Sequence, residues 1–265
     1  MSNFLLQVTQ ITIIQIISLF GIFFVFGFIL SRIQAAILKN YSSSIGWRGI
    51  LWTAWLGTPV HEYSHAILAV LFRHKINDVV LFSPDANTGE LGHVAHSYNK
   101  KSIYQSVGNF FIGSAPLIIG PLLLVILLYV LVPGGRELFS SVPGIQNSFA
   151  SIANGIKNFF VLLFSFNHLS SWSFWIFLYV SFCIASHLAP SKADLKGVWR
   201  GWLLIVLCLF IANCVARLVN SDITKYIISF SHFFSGMIAV YIYTLLISLL
   251  HFILSFFILL PWRKK

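Results

Sequence analysis

Within the run TPVHEYSHAI, His61, Glu62 and His65 stand in the order H-E-x-x-H. On a helix, residues four apart share a face, so both imidazoles can grip one ion, while Glu62 lies about 100° round and reaches a metal-bound water. Zinc bound there would lower the pKa of that water towards neutrality. Glu62 would take its proton as a peptide carbonyl is attacked, then pass it to the leaving nitrogen. At this chain's own frequencies of His and Glu, a chance match has a probability of roughly 0.003, so coincidence is a poor account of it. The motif stands inside an otherwise apolar stretch, roughly 12 Å of helix before the charged end at Arg73. Ionisable groups at such a depth are costly unless paired or metal-bound. The competing reading is a hydrogen-bonded polar cluster that only ties helices together.

A catalytic zinc site takes three protein ligands and keeps one position open, so a third must come from elsewhere in the chain. The chain has seven acids. Asp78, Asp85, Glu90, Glu137 and Asp222 fall in expected loops and Glu62 is already assigned, which leaves Asp194 in SHLAPSKADLKG. Pro190 is expected to break the preceding span and let irregular backbone dip back towards the site. The competing role for Asp194 is an interfacial carboxylate facing Lys192 or Lys196. His187 is the second candidate for the third ligand, against the ordinary role of a satisfied core histidine. His93 and His96, three apart on an expected strand, point to different sides; they either line the substrate entry or are simply solvated. His74, His168, His232 and His251 are isolated and are assigned no role.

The elements that must position these groups are membrane elements. Of 265 residues, 58% are hydrophobic and 9% charged, against about 25% charged in soluble domains. Six spans are expected, at 8–31, 50–72, 105–132, 172–189, 201–219 and 233–260. The fold class is therefore an all-α polytopic membrane protein, one domain over 1–265 with its core at about 50–201. The net charge of +10 comes from 17 Lys and Arg scattered at span ends, a distribution that fits lipid headgroups rather than nucleic acid. With alternating spans both termini fall on one side. Ten of the 17 basic residues, including the cluster Arg263, Lys264 and Lys265, make that side the cytoplasm. Between spans two and three, KINDVVLFSP and ELGHVAHSY flank the turn-like DANTG and read as a small β-hairpin at the membrane surface. Residues 133–171 read as an external loop with a surface-lying helix, a seventh partial span being the alternative. Cys183, Cys208 and Cys214 lie in apolar segments without metal spacing and read as packing residues. The run GVWRG, from Gly197 to Gly201, has the spacing of small-residue helix packing.

With HEYSH in an early span and PSKADLKG after a later one, the chain resembles the site-2 protease family of intramembrane zinc metalloproteases, over roughly span two to residue 201. That family pairs H-E-x-x-H with an Asn-x-x-Pro-x-x-x-Leu-Asp-Gly run whose Asp is the third zinc ligand. The resemblance implies one zinc per chain held by His61, His65 and Asp194, with Glu62 as general base and Pro190 as the motif proline. It also implies a helical bundle that a transmembrane protein or peptide substrate enters sideways and partly unwound. The chain departs from the pattern in three ways: Asp194 follows the proline by four residues rather than five, His187 stands where the family has Asn, and Lys196 precedes Gly197. GSAPLIIGP is similar to the family's Ala-Gly-Pro stretch only around Ala115 and Pro116, and Asn109 is either a contact for the substrate carbonyl or a packing amide. A peptidase using a Glu as third ligand is disfavoured, because no Glu lies in or beside a later span. The remaining alternative is a metal-binding or structural membrane protein, an inactive homologue with Glu62 idle. A bacterial plasma membrane is the default location.

Overall fold

The computed structural model describes residues 2–263 except 143–148, 220, 222, 225 and 228–234. Asp222, His232, Lys264 and Lys265 therefore lie outside the described residues. The chain folds as helices α1 (Ser2–Ser44), α2 (Trp47–Leu71), α3 (Ile103–Gly113), α4 (Ala115–Leu131), α5 (Gly135–Ser140), α6 (Phe149–Leu163), α7 (Phe166–Leu169), α8 (Trp172–Ala185), α9 (Lys192–Leu218) and α10 (Ser235–Leu259). Strands β1 (Lys75–Val80) and β2 (His93–Ser97) sit between α2 and α3 and pair antiparallel, with a bulge between Ile76 and Asp78. The all-α architecture with one small hairpin is as the periodicity and turn chemistry predict.

Three helices among the described residues are long and apolar enough to cross a membrane: Phe4–Ser44, Lys192–Leu218 and Met237–Trp262. At 1.5 Å per residue each of them exceeds the roughly 30 Å hydrocarbon core. The α3–α4 pair, bent by 55° at Ser114, makes a fourth if counted as one span. The outer faces of the three long helices carry exposed apolar side chains such as Ile13, Ile17, Leu203, Leu207, Val215 and Phe257, which suit lipid rather than water. The chain is a membrane protein on this ground.

The course of the chain differs from six alternating spans. Helix α1 runs antiparallel to α9, with Phe24 stacked on Trp199, Gln15 bonded to Asn213 and Gln7 to Arg217. The same register continues towards α8, where the Gln34 side chain accepts from the Ala189 N–H at 2.7 Å, while Tyr41 meets His251, on which Phe182 stacks. Helices α8 and α9 therefore point the same way, and the chain does not reverse between them. Helix α10 runs parallel to α1, with Phe26 stacked on Tyr241, Tyr41 bonded to His251 and Asn40 to Ser255. Alternation would require the opposite in both cases. The start of α1 and the end of α10 consequently lie at opposite ends of the bundle, which overturns the expectation of both termini on one side. The reason is local: the break at 186–191 offsets the chain without turning it, and Ser191 restarts a helix at Lys192, well before the expected 201.

Residues 133–171 also depart from a loop with a surface helix. Phe159 and Leu163 of α6 are fully buried, Phe159 against Tyr243 of α10, because the apolar run faces the bundle instead of lying on its surface. Asp78 lies in β1 and Glu137 in α5 rather than in loops. The three cysteines are free, as expected of packing residues.

The crossing of α3 and α9 is set by glycines. A Cβ on Gly201 would collide with the Phe110 backbone nitrogen, and one on Gly113 would stand 2.7 Å from the Asp194 carbonyl oxygen. One on Gly197 would make only an ordinary contact, 3.7 Å from the Asn109 carbonyl. The GVWRG run thus packs within the chain, and it seats the start of α9 against α3. Gly201→Ala is expected to cost about 1–3 kcal/mol by overpacking, whereas Gly197→Ala is tolerated. Melting temperatures of the two variants check this.

Candidate metal centre

His61, Glu62 and His65 lie in the second half of α2, just past Pro59, with Glu62 and His65 buried. Helical spacing places the two imidazoles on one face, with their Nε2 atoms 3.1 Å apart. Each ring is held from behind by a carbonyl that a helix break leaves free. His61 Nδ1 lies 2.6 Å from the His187 carbonyl oxygen, in the break after α8, and His65 Nδ1 lies 2.7 Å from that of Ile112, in the last turn of α3. Helix ends leave carbonyls without intrahelical partners, and here two of them accept from histidines. A carbonyl only accepts, so each ring carries a proton on Nδ1 and a neutral ring presents its Nε2 lone pair to the other. Two Nε2 atoms at that distance can be bridged by a metal ion or by a proton.

Asp194 completes the group. Its Oδ2 lies 3.6 Å from His61 Nε2 and its Oδ1 3.5 Å from His65 Nε2. It stands in the first turn of α9, not on irregular backbone as the sequence suggested. A capping box holds it there: the Ser191 N–H donates to Asp194 Oδ2 at 2.7 Å, and the Asp194 N–H donates to Ser191 Oγ at 3.2 Å. The positive end of the helix favours a carboxylate at this position. Among the described residues, His61, His65 and Asp194 form the group of His, Cys, Asp or Glu side chains that can hold a metal ion.

The donor set fits zinc. Ligands about 2.0–2.2 Å from a tetrahedral ion stand roughly 3.3–3.6 Å apart. Here the two Nε2 atoms are 3.1 Å apart, each faces a different oxygen of Asp194 at 3.5–3.6 Å, and one ligand atom from each residue can be chosen so that all three lie within 4.8 Å of one another. Carbonyl acceptors behind both histidines are the outer-shell arrangement that fixes the tautomer and orientation of metal-bound imidazoles.

A cavity of about 770 Å³ adjoins these ligands, lined among others by Glu62, His96, Asn109 and Gly92. Gly92 lets the hairpin close over the acid, since a Cβ there would meet the Val80 carbonyl oxygen at 2.6 Å and Glu62 Cγ at 3.2 Å. Asn109 donates to the Ser106 carbonyl at 3.1 Å, so its amide is partly tied within its own helix. His187, the second candidate ligand, does not join the group. Its Nδ1 faces the Cys183 carbonyl at 3.1 Å, and its contribution to the site is the carbonyl that holds His61. No sequence pattern marks a backbone carbonyl for such a role, which is why this part escaped the sequence reading. His168 and His251, assigned nothing, bond the Pro133 carbonyl and Tyr41.

His93 closes the hairpin from outside, with Nδ1 2.8 Å from Glu90 Oε1 and Nε2 3.2 Å from Asp78 Oδ2. The bond to Asp78, then that to Glu90, raises its pKa above the ordinary value near 6.5. A raised folded-state pKa gives stability that is complete below the unfolded value and is lost as pH rises through the folded one. Exposure keeps the effect small. Hydrogen-exchange protection of the Val79 and Val94 amides, corrected for intrinsic rates, is expected to fall as pH rises above about 6.5, and His93→Ala should flatten the dependence.

Comparison of the chain with protein-family models, curated proteins and solved structures returns no match.

Proposed function

We infer that this chain is a membrane-embedded zinc metallopeptidase, a divergent relative of the site-2 proteases, which hydrolyses peptide bonds in or near transmembrane segments of membrane protein substrates. The observation that carries the reading is the grouping of His61, His65 and Asp194, with ligand atoms within 4.8 Å of one another, beside a buried Glu62 and a cavity. Zinc supplies Lewis acidity and makes a bound water acidic near neutral pH. His61, His65 and Asp194 would hold the ion. Glu62 takes the proton of the attacking water and delivers it to the leaving nitrogen. The hairpin at Gly92 limits water around Glu62, and the cavity admits an unwound stretch of chain, whose carbonyls are no longer shielded by helical hydrogen bonds.

The test is cleavage of a single-span model substrate by the purified chain, with and without 1,10-phenanthroline. The reading expects cleavage that chelation abolishes and added zinc restores. Absence of cleavage by zinc-loaded protein, or cleavage indifferent to chelation, counts against it.

A further inference from the structure

On strand β2, Val94 and His96 are half-buried and His93, Ala95 and Ser97 exposed, and both His93 and His96 line the cavity. Behind His96 stands His74, buried just past the end of α2 and stacked on Tyr98. His74 Nε2 lies 2.8 Å from the Gln105 carbonyl oxygen, and His74 Nδ1 lies 2.9 Å from His96 Nδ1. The carbonyl can only accept, so His74 carries its proton on Nε2 and offers a lone pair at Nδ1. His96 then donates from Nδ1, and its neutral ring has the free lone pair at Nε2. Burial, then His74, lowers the His96 pKa.

His96 forms part of the cavity wall together with Glu62 and Asp194. Its Nε2 has no protein hydrogen bond among the described residues and is not sealed off. Thr58 and His187 line the same cavity with unpartnered polar atoms, but those atoms are fully buried. A substrate helix that unwinds to expose a carbonyl also frees N–H groups, and each needs an acceptor in a site poor in water.

We propose that His96 Nε2 is a substrate-binding atom that accepts a hydrogen bond from a backbone N–H of the polypeptide in the cavity, with His74 and the Gln105 carbonyl as positioning groups that fix its tautomer. The inference rests on the peptidase reading above.

The experiment uses the full chain carrying Glu62→Gln, loaded with zinc, so that peptide is bound and not cut. Affinity for a single-span model peptide is measured in this parent and with His96→Ala added. A set of peptides, each N-methylated at one backbone nitrogen near the cleavage point, is then measured on both. His96→Ala is expected to weaken binding by up to about tenfold with zinc content unchanged. One N-methyl peptide should lose a similar factor on the parent and none on the His96→Ala protein. If every N-methyl penalty is equal on the two proteins, or His96→Ala loses zinc, the inference is overturned while the peptidase reading stands. If the parent takes up no zinc or binds no peptide, both fall.

Discussion

Asp194→Asn is expected to leave the bundle folded and to weaken zinc binding by at least about 100-fold, the upper end of what loss of an outer-shell partner costs. The amide keeps the shape of the side chain and an oxygen that can still accept from Ser191, so the start of α9 survives. What disappears is the negative charge beside two histidines whose Nε2 atoms stand 3.1 Å apart. Ser191→Ala separates the two roles of this turn. It removes the hydroxyl that accepts from the Asp194 N–H, at about 1 kcal/mol of helix stability, but leaves the carboxylate in place. Zinc titration against a competing chelator should therefore find Ser191→Ala near wild type and Asp194→Asn far below it. Equal affinities in all three proteins would remove Asp194 from the ligand set.

Glu62→Gln is expected to do the reverse, retaining zinc while slowing cleavage about 100- to 10,000-fold, the range over which a positioned general base contributes. Glu62 is buried against Gly92, so a neutral isostere fits the same space without disturbing the hairpin. Metal content and single-turnover cleavage on one preparation give both readings. A variant that loses zinc would make Glu62 a structural or ligand group, and one that cleaves at the wild-type rate would leave it with no part in proton transfer.

Much of this centre was legible in the sequence. The order His61, Glu62, His65 carries its own geometry, because helical spacing alone puts both imidazoles on one face. Asp194 could be reached because acids are scarce in an apolar chain and few lie near a later span. The course of the chain was less legible. An apolar run marks a helix and its length, but direction depends on whether the intervening segment turns or merely offsets the chain, and SHLAPSK does the latter. Span-to-span contacts such as Gln15 with Asn213 and Tyr41 with His251 decide that, and they are not local properties. The carbonyls of His187 and Ile112 were invisible for a different reason, since every residue has a carbonyl and only the helix breaks make these two available. The pairing of His74 with His96 depends on the β1–β2 register and on the path from α2 into the hairpin, so two histidines that read as separate meet in the fold.

The most direct test of the centre is X-ray absorption at the zinc edge on the purified, zinc-loaded chain, together with its metal stoichiometry. The account predicts about one zinc per chain, with two imidazole nitrogens at about 2.0–2.1 Å, a carboxylate oxygen at about 2.0–2.2 Å and a further light-atom ligand. A chain that takes up no zinc, or a spectrum showing sulfur ligands or a single imidazole, would contradict it.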